Sequence, residues 1–158
     1  MHNRTSVLLM GVVIVAAATG CYQPKNTTPI PVPKGALIEI YQITPTQGAN
    51  TKPAIDPVNG TPIYLVTPPV VATNDIETIA VQETDLPDSP GLALKLKPSG
   101  SRKMVAATTT AGVTQLAFVV NGSVVSVPKV RAMIGDRMVI TGSANDPQFA
   151  NAMKIFGK

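Results

Sequence analysis

The sequence predicts an α+β fold, a mostly antiparallel sheet with two helices packed on one face. Three observations carry that prediction. Gly91–Lys97 (GLALKLK) alternates leucine with small or basic residues, the pattern of a strand buried on one face. Asn121-Gly122 stands between two apolar, β-branched runs, QLAFVV and SVVSV, the local signature of a tight hairpin. Phe149, Met153 and Phe156 recur at helical spacing, giving one apolar stripe to face a sheet. Strands, a helix, more strands and a last helix follow in that order, which favours α+β over alternating βαβ units.

The chain opens on a short polar start carrying Arg4. An apolar run follows, Val7–Ala18 (VLLMGVVIVAAA), then Thr19, Gly20 and Cys21. The run has the length of a signal-peptide core and falls short of the ~20 residues that span a bilayer. The small residues before Cys21 resemble a bacterial lipobox, with Ala18 where that motif usually has Leu. The resemblance implies a lipoprotein signal peptide over 1–20 and lipidation of the Cys21 thiol, with acyl chains such as palmitate anchoring the chain to a membrane. A plain secretory signal and an uncleaved short anchor are the other readings of the same run. Several acyl chains hold a protein more firmly than one. By resemblance to enterobacterial sorting, Tyr22 favours the outer membrane over the inner one. The expected location is the periplasmic side of the bacterial cell envelope.

Residues 21–35 then read as a Pro-rich tether. Pro24, Pro29, Pro31 and Pro33 alternate with polar or small apolar residues, a composition that favours an extended, polyproline-like spacer. A single domain over 36–158 follows. Ala36–Ile43 (ALIEIYQI) alternates and predicts a strand. Thr44–Pro62 is rich in Pro, Gly, Asn and Thr and predicts a long loop, with Asn59-Gly60 a turn. Ile63–Val66 is a short strand ended by Pro68-Pro69, Thr73-Asn74-Asp75 a single helical turn, and Thr78–Glu83 the next strand. After Gly91–Lys97, Pro98-Ser99-Gly100 opens a helix to Thr110. Met104, Val105, Ala107 and Thr108 form its buried stripe. Its β-branched end, and Arg102 and Lys103 near its positive end, weaken it. The hairpin comes next, with Pro128 ending its second arm. Asp136–Thr141 is the last strand. Asn145 is expected to cap the last helix, with Gln148 as its capping-box partner.

Composition narrows the chemistry. The only His is His2 and the only Cys is Cys21, both before the domain. The domain therefore has no imidazole or thiol for nucleophilic triads, zinc sites or haem ligation. No cofactor or metal is expected, and no enzyme activity. The formal charge of +4 is diffuse and lacks a Lys/Arg cluster with interleaved aromatics, so nucleic acid is not an expected partner.

From Gly91 onward the chain resembles a known pattern. The segments are Leu94-Lys95-Leu96-Lys97-Pro98-Ser99-Gly100 before a helix, the hairpin Leu116–Pro128, and Ile134-Gly135-Asp136-Arg137-Met138-Val139-Ile140-Thr141-Gly142 before a last helix. The Ile63–Val66 strand and Asn74-Asp75-Ile76 fit its opening. Over about 60–158 this is similar to the head subdomain of the first periplasmic domain of the SecD/SecDF protein-export proteins. That family commonly has Asp where Asn121 stands and an acidic helix start where Ser99 stands. The resemblance implies the fold and a peptide-contacting surface. It does not imply transport, since no segment here reads as a membrane part able to use a proton gradient.

Three functions fit these residues. One is a non-enzymatic, membrane-anchored lipoprotein that binds exported polypeptide or another envelope protein, with the hairpin Asn121, Gly122 and Ser123 as partner contact. An uncovered sheet face or edge would serve by strand addition. The alternative is a structural envelope lipoprotein unrelated to secretion. The third is a carboxylate enzyme using Asp75 with Glu77, or Glu83, Asp85 and Asp88, or Asp136 and Asp146. The bland readings beside these are solvated turns, a wet sheet face for Lys95, Lys97, Lys129 and Arg131, and core for the Phe149 stripe.

Overall fold

The computed structural model describes residues 26–86 and 88–157. Cys21 and the signal-like run lie outside the described residues. The strands are β1 (Ile38–Thr44), β2 (Thr51–Ile55), β3 (Pro62–Val66), β4 (Val71–Ala72), β5 (Ile76–Gln82), β6 (Gly91–Leu96), β7 (Leu116–Val120), β8 (Ser123–Ser126) and β9 (Arg137–Thr141). A 3-10 turn, Thr73–Asp75, precedes β5, and the helices are α1 (Pro98–Thr109) and α2 (Pro147–Phe156). Every strand pairing is antiparallel. The expected α+β class is the observed one.

The strands sort into two sheets. The larger runs β2-β3-β1-β7-β8, with β4 also on β1; the smaller runs β5-β6-β9. Each helix touches both sheets: α1 packs on β4 and β6, α2 on β8 and β5. The helices therefore lie across two sheets instead of covering one face of a single sheet. Alternation along a strand fixes which face is apolar, but it does not name the strand's neighbour.

The main core fills the space among these layers. Ile38 and Ile40 of β1, Phe118 of β7, Ile79 of β5, the three leucines of β6 and Ile140 of β9 meet there with Met104 of α1. Phe149, Ala152, Met153 and Phe156 supply the α2 stripe. All three Phe of the chain are buried in it. Each such large side chain contributes roughly 1.5–3 kcal/mol relative to exposure. A second cluster, Tyr41, Ile63, Leu65, Ala117, Val119 and Val124, lies on the other face of the larger sheet. β7 alternates between the two clusters and is buried at all five positions.

Four local outcomes differ from the sequence expectation. The Thr44–Pro62 stretch contains β2, paired with β3 over five residues. Its Pro53 is tolerated because β2 is an edge strand, where one side of the ladder needs no donor. The N-cap of α2 is Asp146, not Asn145: its carboxylate accepts from the Phe149 N–H at 2.8 Å, and Pro147 occupies the first helical position. The α1 stripe is Gly100, Met104 and Ala107, with Val105 and Thr108 half-buried. The described part of the Pro-rich stretch is docked, its start in extended pairing with β5. Ile30 and Ile79 exchange backbone bonds of 2.9 and 2.8 Å, and the Thr27 N–H donates to the Val81 carbonyl. Thr27 Oγ1 accepts from the Val81 N–H, and Asn26 Oδ1 from the Glu83 N–H. These bonds cover the outer edge of β5.

No helix among the described residues is long and apolar enough to cross a membrane.

Candidate functional site

The hairpin forms as its Asn-Gly pair dictates. Asn121 and Gly122 adopt φ of +49° and +83°, the left-handed pair a primed turn needs. Asn121 also docks the turn. Its N–H donates to the Leu37 carbonyl at 2.9 Å, and its side-chain oxygen accepts from the Leu37 N–H at 2.8 Å. Asp would offer the same acceptor and tolerate the same backbone. Asn121 is thus tied to the start of β1. Gly122 and Ser123 are exposed beside it.

Two clefts flank this tip. One, of about 270 Å³, has Tyr41, Leu65, Val119 and Val124 as its apolar floor, with Lys52, Glu39 and Ser123 at the rim. Burial, then the hydrogen bond and charge of Glu39, push the Tyr41 phenol above its ordinary value; Lys52 opposes them. Lys52 Nζ sits 3.5 Å from the Tyr41 oxygen and 5.6 Å from the ring centroid, within cation–π range. The other cleft, of about 420 Å³, separates the hairpin from α2 and is lined by Ser123, Val125, Pro147 and Asn151. Gln148 borders both. A protruding tip between two half-apolar clefts is a surface that can hold an extended chain or a partner's side chains.

The candidate acids do not converge. Asp75 is buried at the start of α1, whereas Glu77 points outward to Lys95 at 2.9 Å. Glu83, Asp85 and Asp88 are exposed around a turn. Asp136 is exposed, and Asp146 is the α2 cap. No group of three or more His, Cys, Asp or Glu placed to hold a metal occurs among the described residues. Of the basic residues, Lys129 and Arg131 are exposed, whereas the two on β6 and beside it are engaged. Lys95 is paired, and Lys97 caps α1 and donates from Nζ to the Asn74 carbonyl at 3.0 Å.

Asp75 has a role that sequence spacing did not reveal. It receives Lys103 Nζ at 2.7 Å, Ser99 Oγ at 3.1 Å and the Ala72 N–H at 3.2 Å. Burial alone would push its carboxyl up. These hydrogen bonds, with the Lys103 charge, outweigh burial and hold it below the usual carboxylate value. The acidic group at the start of α1 therefore comes from Asp75 across space, while Ser99 stands in the helix itself. Gly100 permits this approach: a Cβ there would lie 2.7 Å from the Asp75 carbonyl oxygen. The 24-residue separation of Asp75 and Ser99 hid the pairing.

A family model described as SecDF, P1 head subdomain, matches residues 47–156, from just before β2 to the end of α2. Among solved structures, one titled "Structure and function of a membrane component SecDF that enhances protein export" is 20% identical with a TM-score of 0.52. The alignment covers 77% of this chain and 60% of that one, so it speaks to the fold. No curated protein matches. With more than half its length matched by the family model, the chain belongs to the SecDF P1 head subdomain family.

Proposed function

We propose that this chain is a non-catalytic, membrane-tethered domain of the cell envelope that contacts polypeptide during protein export. The match of residues 47–156 to the SecDF P1 head carries this reading. The hairpin supports it: Gly122 and Ser123 project between two clefts whose walls mix apolar and polar groups. Lipid on Cys21 supplies the tether, on the periplasmic side, with the outer membrane favoured by Tyr22.

The test is a photo-crosslinking residue at Ser123 in growing cells. Unfolded secretory chains should be trapped, and more of them when export is slowed. Recovery of one folded envelope protein and no secretory chain would overturn the export reading and favour a structural envelope role.

A further inference from the structure

The smaller sheet has one covered edge and one open edge. Its β5 edge already holds an extended segment of the same chain, Asn26–Ile30, through paired backbone bonds. At the other edge, β9 pairs only with β6. Successive residues of an antiparallel strand direct their N–H and C=O alternately toward and away from the partner. Two bonds fix the phase on β9: Leu96 N–H to the Asp136 carbonyl at 2.7 Å, and Gly142 N–H to the Pro90 carbonyl at 3.3 Å. Residues 138 and 140 therefore face β6, and Arg137, Val139 and Thr141 face away. Ser126 Oγ donates to the Thr141 carbonyl at 2.9 Å, consistent with that phase. Among the described residues, the N–H and C=O of Arg137 and Val139 meet no other backbone or side chain.

The remaining edges are guarded. β2 carries Pro53, β8 is four residues long and followed by Pro128 with α2 packed on it, and β5 is strapped. The open edge also has a chemical bias. Arg137 is 76% exposed in its side chain and only loosely paired, at 3.9 Å, with Asp136. Val139 is 47% exposed, while Met138 and Ile140 turn to the core. A shallow groove of about 410 Å³ runs over the outer face beside it, lined by Pro29, Thr78, Ala80, Ala93 and Val139.

We propose that β9 binds an extended polypeptide segment by strand addition, making a fourth strand of the smaller sheet. The segment alternates apolar residues toward the core side with polar ones toward the outer face, and carries an acid opposite Arg137. This rests on the reading that the domain contacts polypeptide, and adds to the hairpin a backbone-pairing site with its own pattern.

The probe is a synthetic ten-residue peptide alternating valine with threonine and glutamate, added to the full chain in detergent micelles. Fluorescence anisotropy reads binding, and hydrogen exchange reads the amides. Binding should slow exchange at Arg137, Val139 and Thr141. The same peptide N-methylated on its pairing amides should bind at least tenfold more weakly, with every side chain kept. Val139→Pro, whose lost N–H faces away from β6, should weaken binding similarly. If that variant does not fold, the N-methylated peptide decides. Arg137→Glu should reverse the preference to a lysine-bearing peptide. Absence of binding, equal binding of the N-methylated peptide, or protection at the hairpin instead of β9 each overturns the proposal. So does concentration-dependent protection of β9 without peptide, which assigns the edge to a second copy. Secretory chains trapped at Ser123 with β9 unprotected would leave the export reading standing and remove this one.

Discussion

Replacing Asp75 by Ala should cost about 2–3 kcal/mol of folding stability, far more than its outward neighbours would. The carboxylate side chain is only 9% exposed and accepts from a lysine, a hydroxyl and a backbone N–H at once. Hydrogen bonds to a charged group are worth about 1.5–3 kcal/mol each when well shielded, and an orphaned part-buried donor costs about 1–3 kcal/mol. The Lys103 side chain is 54% exposed, so the ion pair itself is screened to about 0–1 kcal/mol. The costs should therefore rank Asp75→Ala above both Asp75→Asn, at about 1 kcal/mol, and Lys103→Met. Urea unfolding followed by far-ultraviolet circular dichroism at neutral pH measures all three. The pH dependence adds a second readout. The Asp75 carboxyl is held low in the folded state, so its contribution is complete above the unfolded value and lost as pH falls through the folded one. The gap between wild type and Asp75→Asn should close in strong acid. Equal costs for Lys103→Met and Asp75→Ala, or a loss below about 0.5 kcal/mol for Asp75→Ala, would refute the reasoning.

Other outcomes follow from single contacts. Gly142→Ala should destabilise by about 1–3 kcal/mol in the same assay, because its Cβ would overlap the buried Phe149 ring. Asn121→Ala should cost about 1–2 kcal/mol through the lost Leu37 bond and the left-handed backbone, while Asn121→Asp stays within about 0.5 kcal/mol. Cys21→Ser should release the protein from membranes or stop its processing; unchanged fractionation and mass would contradict lipidation.

Much of the fold was legible because strong local patterns coincide with burial. The leucines of β6 and the α2 stripe sit where their periods put them. The primed turn of the hairpin follows from two residues. β2 was hidden because Lys52 and Pro53 break its alternation at an edge, where the sheet imposes little on sequence. The division into two sheets was hidden because a strand pattern does not name its partner, and only long-range pairing puts β7 beside β1 and β5 beside β6. At the site, the hairpin was visible but the use of Asn121 was not: Leu37 lies 84 residues away. The Asp75 cluster likewise joins two distant segments, residues 72–75 and the start of α1, with Ser99 and Lys103 24 and 28 residues from Asp75.

The docking of Asn26–Ile30 on β5 changes how far the domain reaches from its proposed anchor. Were the whole Pro-rich stretch free, the fourteen residue-to-residue steps from Cys21 to Gly35 would extend to roughly 50 Å. With the chain bonded to β5 from Asn26 onward, five residues remain, at most about 18 Å. A lipid on Cys21 would thus hold the Glu83 end of β5 close to the bilayer and the domain on a short leash. Tension on that leash would load the Asn26–Glu83 bond first, then Thr27–Val81, then the Ile30–Ile79 pair, lengthening the reach one bond at a time.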